Sequence, residues 1–207
     1  MKHLYFIRHA ESEANEKRIL ASRLPFPLTD AGIEDARRIA QEFKTMVSLD
    51  RIVTSPLLRA RQTADAFRDA FGLEPEEDGR LAEQHLGKFS GLSYDEVKAL
   101  PDYESDVMAR WDWVPDGGGE SYAMIADRVI DFLSSAEEWP KGSRTLVVTH
   151  AVVFRLLRSV LENTLPAYPK GFPNNGEIWE VAFGGVGRRH EIRSLFLGES
   201  RRFVHNP

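Results

Sequence analysis

The stretch that decides the fold is His3-Leu-Tyr-Phe-Ile-Arg-His-Ala-Glu-Ser-Glu-Ala-Asn15. Residues 4–7 are an unbroken apolar and aromatic run, which is typical of a strand buried on both faces of a parallel sheet. The run stops at Arg8 and His9. Because open α/β sheets bind ligands at the carboxyl ends of their strands, this pair indicates an anion site. Taken alone, the pair is equally compatible with two solvated side chains at a strand end.

Length and composition favour a single α/β domain over residues 1–207. The chain has 207 residues, 42% of them hydrophobic, which is enough to bury one substantial core. Its net charge of -5, with both signs mixed along the chain, argues against a general binder of nucleic acids or anionic membranes. There is no cysteine, so the sequence excludes disulfides and thiolate sites and fits a reducing compartment.

The first residues show no secretory signal pattern. Met1 and Lys2 run directly into the first predicted strand, and no apolar run approaches the length of a transmembrane helix. We therefore expect a cytoplasmic protein that has no membrane partner.

Strand and helix patterns alternate along the rest of the chain. Brief β-branched runs at residues 50–54 and 144–149 predict two more buried strands. Thr29 and Ser121 stand where helix N-caps belong, and Ser55-Pro56 is a favourable start for a third helix. A fourth helical pattern follows the second of these strands. The alternation predicts a three-layer α/β/α sandwich, with a mostly parallel central sheet and helices on both faces.

Three segments fall outside this alternation. Residues 177–183 and 190–197 predict two late strands joined through glycines, which is typical of a hairpin or a sheet edge. Residues 93–119 carry short helical patterns interrupted by Pro101, and we expect a small cap-like excursion over the rim of the site. Residues 201–207 are predicted to form a loose tail.

His150 ends its strand in the same way that His9 ends the first strand. A third strand stops just before the helix that carries Arg59, so three connections meet at one rim of the sheet. Helix N-termini near Ser55 and His150 would direct free N–H groups at a phosphate. Arg8 and Arg59 would add charged, forked donors that match phosphate oxygens. Together these features favour a phosphate site.

With these residues in place, the sequence resembles the histidine phosphatase superfamily, also called phosphoglycerate mutase-like. Its signature, Arg-His-Gly or Arg-His-Ala followed by Ser or Thr and then Asn, stands here as Arg8-His9-Ala10-Glu11-Ser12-Glu13-Ala14-Asn15. Further matches, in the order of the family, are Pro27-Leu-Thr-Asp-Ala-Gly32, Ser55-Pro-Leu-Leu-Arg-Ala-Arg-Gln-Thr-Ala64, Leu81-Ala-Glu83, Gly118-Gly-Glu-Ser121 and Val148-Thr-His150. The resemblance spans most of the chain and rests on motifs at workable spacings.

The resemblance implies a chemical role for each of these side chains. His9 would attack phosphorus and form a phosphohistidine, which water then hydrolyses. Glu83 would protonate the leaving oxygen and later activate the water. The equatorial oxygens of the phosphate would be held by Arg8, Arg59 and His150. The resemblance implies no metal and no other cofactor.

The resemblance leaves other details of the site more open. Ser12 and Asn15 would either bond the phosphate or fix the loop around it. Ala10 and Ala151 stand where many members have glycine, so their methyl groups are expected near the phosphate. His85 is a candidate to line the pocket, because it lies two residues beyond the proposed acid.

The leading hypothesis is a metal-independent phosphatase that hydrolyses phosphate monoesters through phosphohistidine on His9. Its substrate would be a small phosphorylated metabolite or a broad set of them, and its product inorganic phosphate. Residues 89–91 lack the acidic residue that many metabolite phosphatases carry there, so specificity does not transfer. The alternatives are a phosphoglycerate mutase-type phosphotransferase, a phosphohistidine-protein phosphatase and a non-catalytic phospholigand binder. The sequence assigns no nucleic-acid partner and no oligomeric state.

Overall fold

A six-stranded sheet forms the centre of the computed structural model, which describes residues 1–198. Its strands are β1 (Lys2–Arg8), β2 (Arg51–Thr54), β3 (Glu76–Glu77), β4 (Arg144–Thr149), β5 (Ile178–Phe183) and β6 (Ile192–Phe196). In space they follow the order β3-β2-β4-β1-β5-β6. The tail predicted at residues 201–207 lies outside the described residues.

The register of the sheet brings three strand ends to one edge. β1 and β4 pair in parallel, with Arg8 opposite Thr149, and β4 pairs in parallel with β2. β3 is also parallel, whereas β5 and β6 are antiparallel and form the predicted hairpin edge. His9, Ser55 and His150 each follow a strand and therefore lie side by side at the carboxyl ends. The expectation of a mostly parallel sheet is confirmed.

Helices cover both faces of this sheet. Their bounds are α1 (Glu13–Glu16), α2 (Asp30–Met46), α3 (Leu58–Phe71), α4 (Tyr94–Lys98), α5 (Tyr122–Ala136) and α6 (Ala151–Glu162). Single 3₁₀ turns span Gly79–Leu81, Gly87–Phe89 and Val107–Ala109. Among the helices of residues 1–198, none is both long and apolar enough to cross a membrane.

Two apolar clusters separate the layers. Leu4 and Phe6 of β1 pack with α5 and α6, while Tyr5 and Ile7 pack with α2 and α3. All four side chains are buried, as a strand inside a parallel sheet requires. Burial of each large apolar side chain contributes about 1.5–3 kcal/mol, so both faces of β1 are firmly held. The predicted three-layer α/β/α sandwich is confirmed.

The predicted helix caps at Thr29 and Ser121 are also confirmed. Thr29 Oγ1 accepts the Gly32 N–H at 2.9 Å, and Ser121 Oγ accepts the Met124 N–H at 3.2 Å. Gly32 also allows close packing, because a Cβ at this position would lie 2.1 Å from the carbonyl oxygen of Glu11. The glycine that ends the Pro27–Gly32 motif therefore lets α2 pack against the loop that follows β1.

The predicted helix start at Ser55-Pro56 is wrong. α3 begins at Leu58, and its N-cap residue Leu57 makes no side-chain cap bond. Ser55 instead extends the sheet, because its N–H donates to the carbonyl of Val148 at 3.0 Å. Its hydroxyl lies 2.7 Å from Nε2 of His150 and accepts the Leu57 N–H at 3.3 Å, so the serine joins the turn before α3 to the site.

Residues 93–119 lie over the carboxyl edge of the sheet. They contain α4 and the turn at Val107–Ala109, and Ser93 opens α4 with a capping box. A satellite cluster holds them down, in which Val97 is buried beside Phe89, and Tyr103 and Trp113 pack against it. The division of the chain into one domain with a cap at residues 93–119 stays a prediction.

Candidate active site

A cavity of about 350 Å³ opens at the carboxyl edge of the sheet. Six of the side chains singled out in the sequence line it: Arg8, His9, Ser12, Asn15, Arg59 and Glu83. His150 is fully buried next to the cavity residue His9, and the two ring centroids lie 5.2 Å apart. The fold therefore brings all seven residues to one place.

The imidazole of His9 is buried and held in one orientation. Nδ1 lies 2.7 Å from the carbonyl oxygen of Ala10, and because a carbonyl only accepts, Nδ1 carries the proton. Nε2 then has a free electron pair, and it accepts a hydrogen bond from Nε of Arg59 at 3.2 Å. Burial lowers the pKa of His9 well below its usual value, and the charges of Arg59 and Arg8 lower it further. His9 is consequently a neutral imidazole whose Nε2 has the electron pair a nucleophile needs.

His150 is neutral for related reasons. Burial lowers its pKa well below the usual value, with Arg59, His9 and Arg8 contributing in the same direction. Its Nε2 lies 2.7 Å from Ser55 Oγ, and its Nδ1 is buried without a hydrogen-bond partner among residues 1–198. A buried polar nitrogen with no partner is costly, so a further donor or acceptor is expected beside it.

Arg59 reaches the cavity from the first turn of α3. Only 2% of the residue is exposed, and its two terminal nitrogens donate to the carbonyls of Leu24 at 3.2 Å and Ser22 at 2.8 Å. Burial lowers its pKa to about 10, although Glu83 opposes the shift. The guanidinium is still charged at neutral pH, so Arg59 supplies a fixed positive charge beside His9.

The segment 173–176 fixes the chain around Arg8 and His9. The carbonyl of Pro173 accepts from Nη1 of Arg8 at 2.6 Å. Asn175 Nδ2 donates to the carbonyl of His9 at 3.0 Å and to Oδ1 of Asn15 at 3.2 Å. These contacts hold the backbone of the predicted nucleophile in place.

Glu83 is held by the N-terminus of α6. Its Oε1 accepts the Val152 N–H at 3.2 Å and the Gln84 N–H at 3.0 Å. We expected the N–H groups near His150 to be directed at a phosphate, but one of the first of them is bonded to this carboxylate. The helix terminus therefore positions Glu83 at the edge of the cavity.

The side chains of Ser12 and Asn15 hydrogen-bond to each other. Ser12 Oγ donates to Asn15 Oδ1 at 2.7 Å, and the Ser12 N–H donates to the same oxygen at 3.0 Å. Of the two roles left open for this pair, these contacts favour fixing the loop that follows β1.

Of two smaller expectations about the pocket, the one for His85 is wrong and the one for the two alanines holds for Ala151 alone. His85 does not line the cavity, because its Nδ1 turns back to accept the Gly87 N–H at 3.2 Å. The methyl of Ala10 lies in the apolar cluster under α2 and α3, while Ala151 does line the cavity.

Three residues of the site were missed in the sequence. Ser55 was assigned to a helix cap, Asn175 lies in a turn-like Pro-Asn-Asn-Gly stretch, and Ser22 lies in a polar loop. Ser22 is buried at a φ of 48°, and its hydroxyl joins Gln84 O and Leu86 N. A left-handed conformation at a buried non-glycine residue often marks a functional site, but no sequence pattern reveals it.

The described residues hold no group of three or more His, Asp or Glu side chains that could bind a metal ion. That the reaction is metal-independent stays a prediction.

Comparison with known proteins identifies the family. The model of the Histidine phosphatase superfamily (branch 1) matches residues 4–191. The chain belongs to this superfamily. Phosphoglycerate mutase-like protein 4 of Arabidopsis thaliana is 35% identical over 167 residues, covering 79% of this chain and 71% of that protein. A probable phosphoglycerate mutase of Serratia proteamaculans is 33% identical over 171 residues, covering 81% and 78%.

Solved structures share the fold of this superfamily member. A mycobacterial glucosyl-3-phosphoglycerate phosphatase in complex with VO3 superposes with a TM-score of 0.82 at 23% identity, covering 94% of this chain and 98% of that one. YhfR of Bacillus stearothermophilus gives a TM-score of 0.81 at 26% identity, covering 94% and 96%. The chain is thus a histidine phosphatase superfamily enzyme, related to proteins named as phosphatases and as mutases.

The two neutral histidines predict an acid-sensitive fold. In the unfolded chain each takes up a proton near pH 6.5, whereas in the folded protein each stays neutral, so stability falls as the pH drops below that value. Each contributes up to about 1.4 kcal/mol per pH unit. Urea unfolding between pH 7 and 5 measures the slope, and His9→Asn is expected to remove about half of the histidine contribution. An unchanged slope in the variant contradicts the prediction.

Proposed function

We propose that the protein is a metal-independent phosphatase that hydrolyses phosphate monoesters through a phosphohistidine on His9. The observation that carries this proposal is the neutral imidazole of His9, whose Nδ1 is bonded to the Ala10 carbonyl and whose Nε2 faces the cavity beside Arg59. An imidazole must be neutral to attack phosphorus, and a fixed tautomer orients its electron pair.

In the first step, Nε2 of His9 attacks phosphorus and the bond to the ester oxygen breaks. The phosphate takes over the Arg59 Nε–H that Nε2 now accepts, which releases the electron pair for attack. Arg8 and Arg59 offset the charge on the equatorial oxygens. Nδ1 of His150, which has no partner among the described residues, would add a hydrogen bond to the phosphate. Glu83 in its protonated form gives a proton to the leaving alcohol and is left as a carboxylate.

In the second step, Glu83 takes a proton from a water molecule. The resulting hydroxide attacks phosphorus, the bond to Nε2 breaks, and inorganic phosphate leaves. The cavity opens to solvent on the side of Tyr94 and Phe172, which line it and are 42% and 45% exposed. Access of water supports hydrolysis over transfer to a second alcohol.

The rest of the cavity supports a small phosphorylated molecule as substrate. Apolar side chains of the cap and the neighbouring loops line it away from His9, among them Ile19, Val97, Val107 and Phe172. A volume of about 350 Å³ accommodates a metabolite-sized group. A phosphohistidine on a protein surface would have to pass residues of the cap, which favours the small substrate over a phosphohistidine-protein phosphatase.

Phosphoglycerate mutase-type transfer is the second candidate. The Serratia and Arabidopsis relatives, named a probable phosphoglycerate mutase and a mutase-like protein, favour it. A mutase retains its phosphohistidine until the second alcohol arrives, so it must keep water out of the site.

The experiment that tests the proposal is a panel of phosphorylated metabolites and aryl phosphates assayed for released phosphate with a metal chelator present. We expect undiminished phosphate release in chelator, since cationic side chains supply the positive field at the site. Loss of activity in chelator, restored by added metal, would overturn the metal-independent mechanism.

The same panel separates the two candidates. It includes 3-phosphoglycerate together with 2,3-bisphosphoglycerate, and both isomerisation and phosphate release are followed. We expect phosphate release to be the faster reaction. Isomerisation that outpaces phosphate release would establish the mutase instead.

A further inference from the structure

The Gly118-Gly-Glu-Ser121 motif has no part in the mechanism described so far. Ser121 caps α5, and Glu120 stands immediately before the helix. Its side chain is largely buried, with 15% exposure, and it lies beside residues 83–85. A partly buried carboxylate next to the segment that carries Glu83 requires an explanation.

Glu120 makes three contacts with the two residues that follow Glu83. Its N–H donates to the His85 carbonyl at 2.8 Å, and its Oε2 accepts the His85 N–H at 3.0 Å. Its carbonyl accepts from Nε2 of Gln84 at 2.7 Å. Gln84 is itself buried. These bonds fix the backbone immediately after Glu83 in one position.

Two arginines lock the carboxylate of Glu120 in turn. Arg128 Nε donates to Oε1 at 3.2 Å, and Arg23 Nη2 donates to Oε2 at 2.8 Å. Arg23 also donates from Nε to the carbonyl of Glu83 at 3.2 Å, so one guanidinium joins the two glutamates. Arg128 is anchored at its other end by the carbonyl of Arg80.

The charge state of Glu120 agrees with this arrangement. Burial alone raises the pKa of its carboxyl, but Arg128, the His85 N–H and Arg23 together outweigh burial and hold the pKa below its usual value. The carboxylate is therefore ionised at neutral pH and keeps both arginines in place.

We propose that Glu120 is a positioning residue that sets the location of the Glu83 carboxyl through residues 84–85 and Arg23. The inference rests on the proposed role of Glu83 as the general acid. Glu120 does not line the cavity and touches no reacting atom, so it acts only through its neighbour. A proton donor has to lie within hydrogen-bond reach of the leaving oxygen, and a displacement of about 1 Å can cost 10²-fold in rate.

A leaving-group comparison distinguishes positioning from a general structural effect. An alkyl phosphate depends on the acid, because its alkoxide is a poor leaving group. p-Nitrophenyl phosphate depends on it far less, because nitrophenolate leaves without a proton. A displaced Glu83 therefore lowers kcat/KM for the alkyl phosphate more than for the aryl phosphate, whereas a distorted phosphate site lowers both equally.

The experiment measures kcat/KM for both substrates in Glu120→Gln, Arg23→Met and the matched control Glu180→Gln. Glu180 is a carboxylate of similar burial that pairs with Arg193 at the antiparallel edge of the sheet. For Glu120→Gln we expect a fall of roughly 10-fold or more with the alkyl phosphate and a clearly smaller fall with the aryl phosphate. Arg23→Met is expected to change the ratio in the same direction, and the control to leave it unchanged.

An equal loss on both substrates in Glu120→Gln overturns the inference. Thermal unfolding shows whether Glu120→Gln folds. If it does not, the test rests on Arg23→Met, because the Arg23 side chain is half-exposed. An unchanged ratio of alkyl to aryl kcat/KM in Arg23→Met overturns the inference as well. Glu83→Gln serves as the reference. If Glu83→Gln leaves the ratio of alkyl to aryl kcat/KM unchanged, Glu83 is not the general acid, and the proposed function fails independently of Glu120.

Discussion

Replacement of His9 by alanine is expected to lower phosphate release from aryl and alkyl phosphates by at least about 10³-fold, because the variant cannot form the covalent intermediate. The charges of Arg8 and Arg59 remain, so phosphate esters still bind, and the loss falls on kcat. Activity on both substrate classes is lost together, since both need His9 as the nucleophile whatever the leaving group.

The intermediate is measured directly by reacting the protein with substrate labelled in its phosphate and stopping the reaction rapidly without acid. Wild-type protein is expected to carry label that is lost in acid and retained in base, as a phosphohistidine is, and His9→Ala to carry none. His190→Gln is a matched control, because His190 lies at the β5–β6 hairpin and bonds the carbonyl of Leu161. Unchanged turnover in His9→Ala would place the active site elsewhere.

The parts of the fold that depend on local pattern were predictable. The apolar run before Arg8 and the β-branched run at residues 144–149 each occupy one strand, and Thr29 caps the helix that its spacing indicated. Strands that end in His9 and His150 were expected to meet, and the parallel register places them together. Periodicity and cap chemistry are local properties of a sequence, so they can be recognised without the structure.

The contacts that hold the site depend on residues far apart in the chain and could not be predicted. Asn175 reaches the backbone of His9 across 166 positions, and Ser55 meets His150 across 95. Ser55-Pro56 has the residue types of a helix start, yet the Ser55 N–H bonds to Val148 of the neighbouring strand β4 instead. Tertiary pairing outweighs a local preference worth about 1 kcal/mol.

The contacts of Glu120 and Arg23 with residues 83–85 also join parts of the chain that are far apart in sequence. The Gly118–Ser121 motif was visible in the sequence, but only the fold shows that its glutamate bonds a segment 35 positions earlier. Conversely, the α6 N-terminus that was expected to receive a phosphate holds the carboxylate of Glu83. One helix terminus and one ion-pair cluster thus contact the residue proposed as the acid.

Replacement of Glu83 by glutamine is expected to lower kcat/KM for alkyl phosphates by about 10²–10⁴-fold, the usual contribution of a positioned acid. The amide is nearly the same shape, and its oxygen can still accept the Val152 N–H, so the fold is preserved. It cannot give a proton to the leaving oxygen. For p-nitrophenyl phosphate the fall is expected to be much smaller, because that step needs little protonation.

The aryl substrate also isolates the second half of the reaction. In Glu83→Gln the intermediate still forms from p-nitrophenyl phosphate, but no carboxylate activates the water that hydrolyses it. Nitrophenol should therefore appear in a burst equal to the enzyme concentration, followed by slow turnover, and labelled phosphohistidine should accumulate. The double variant with His9→Ala should show neither signal. A single-phase reaction without labelled protein in Glu83→Gln would mean that another group activates the water, since His9 alone cannot serve as both nucleophile and base.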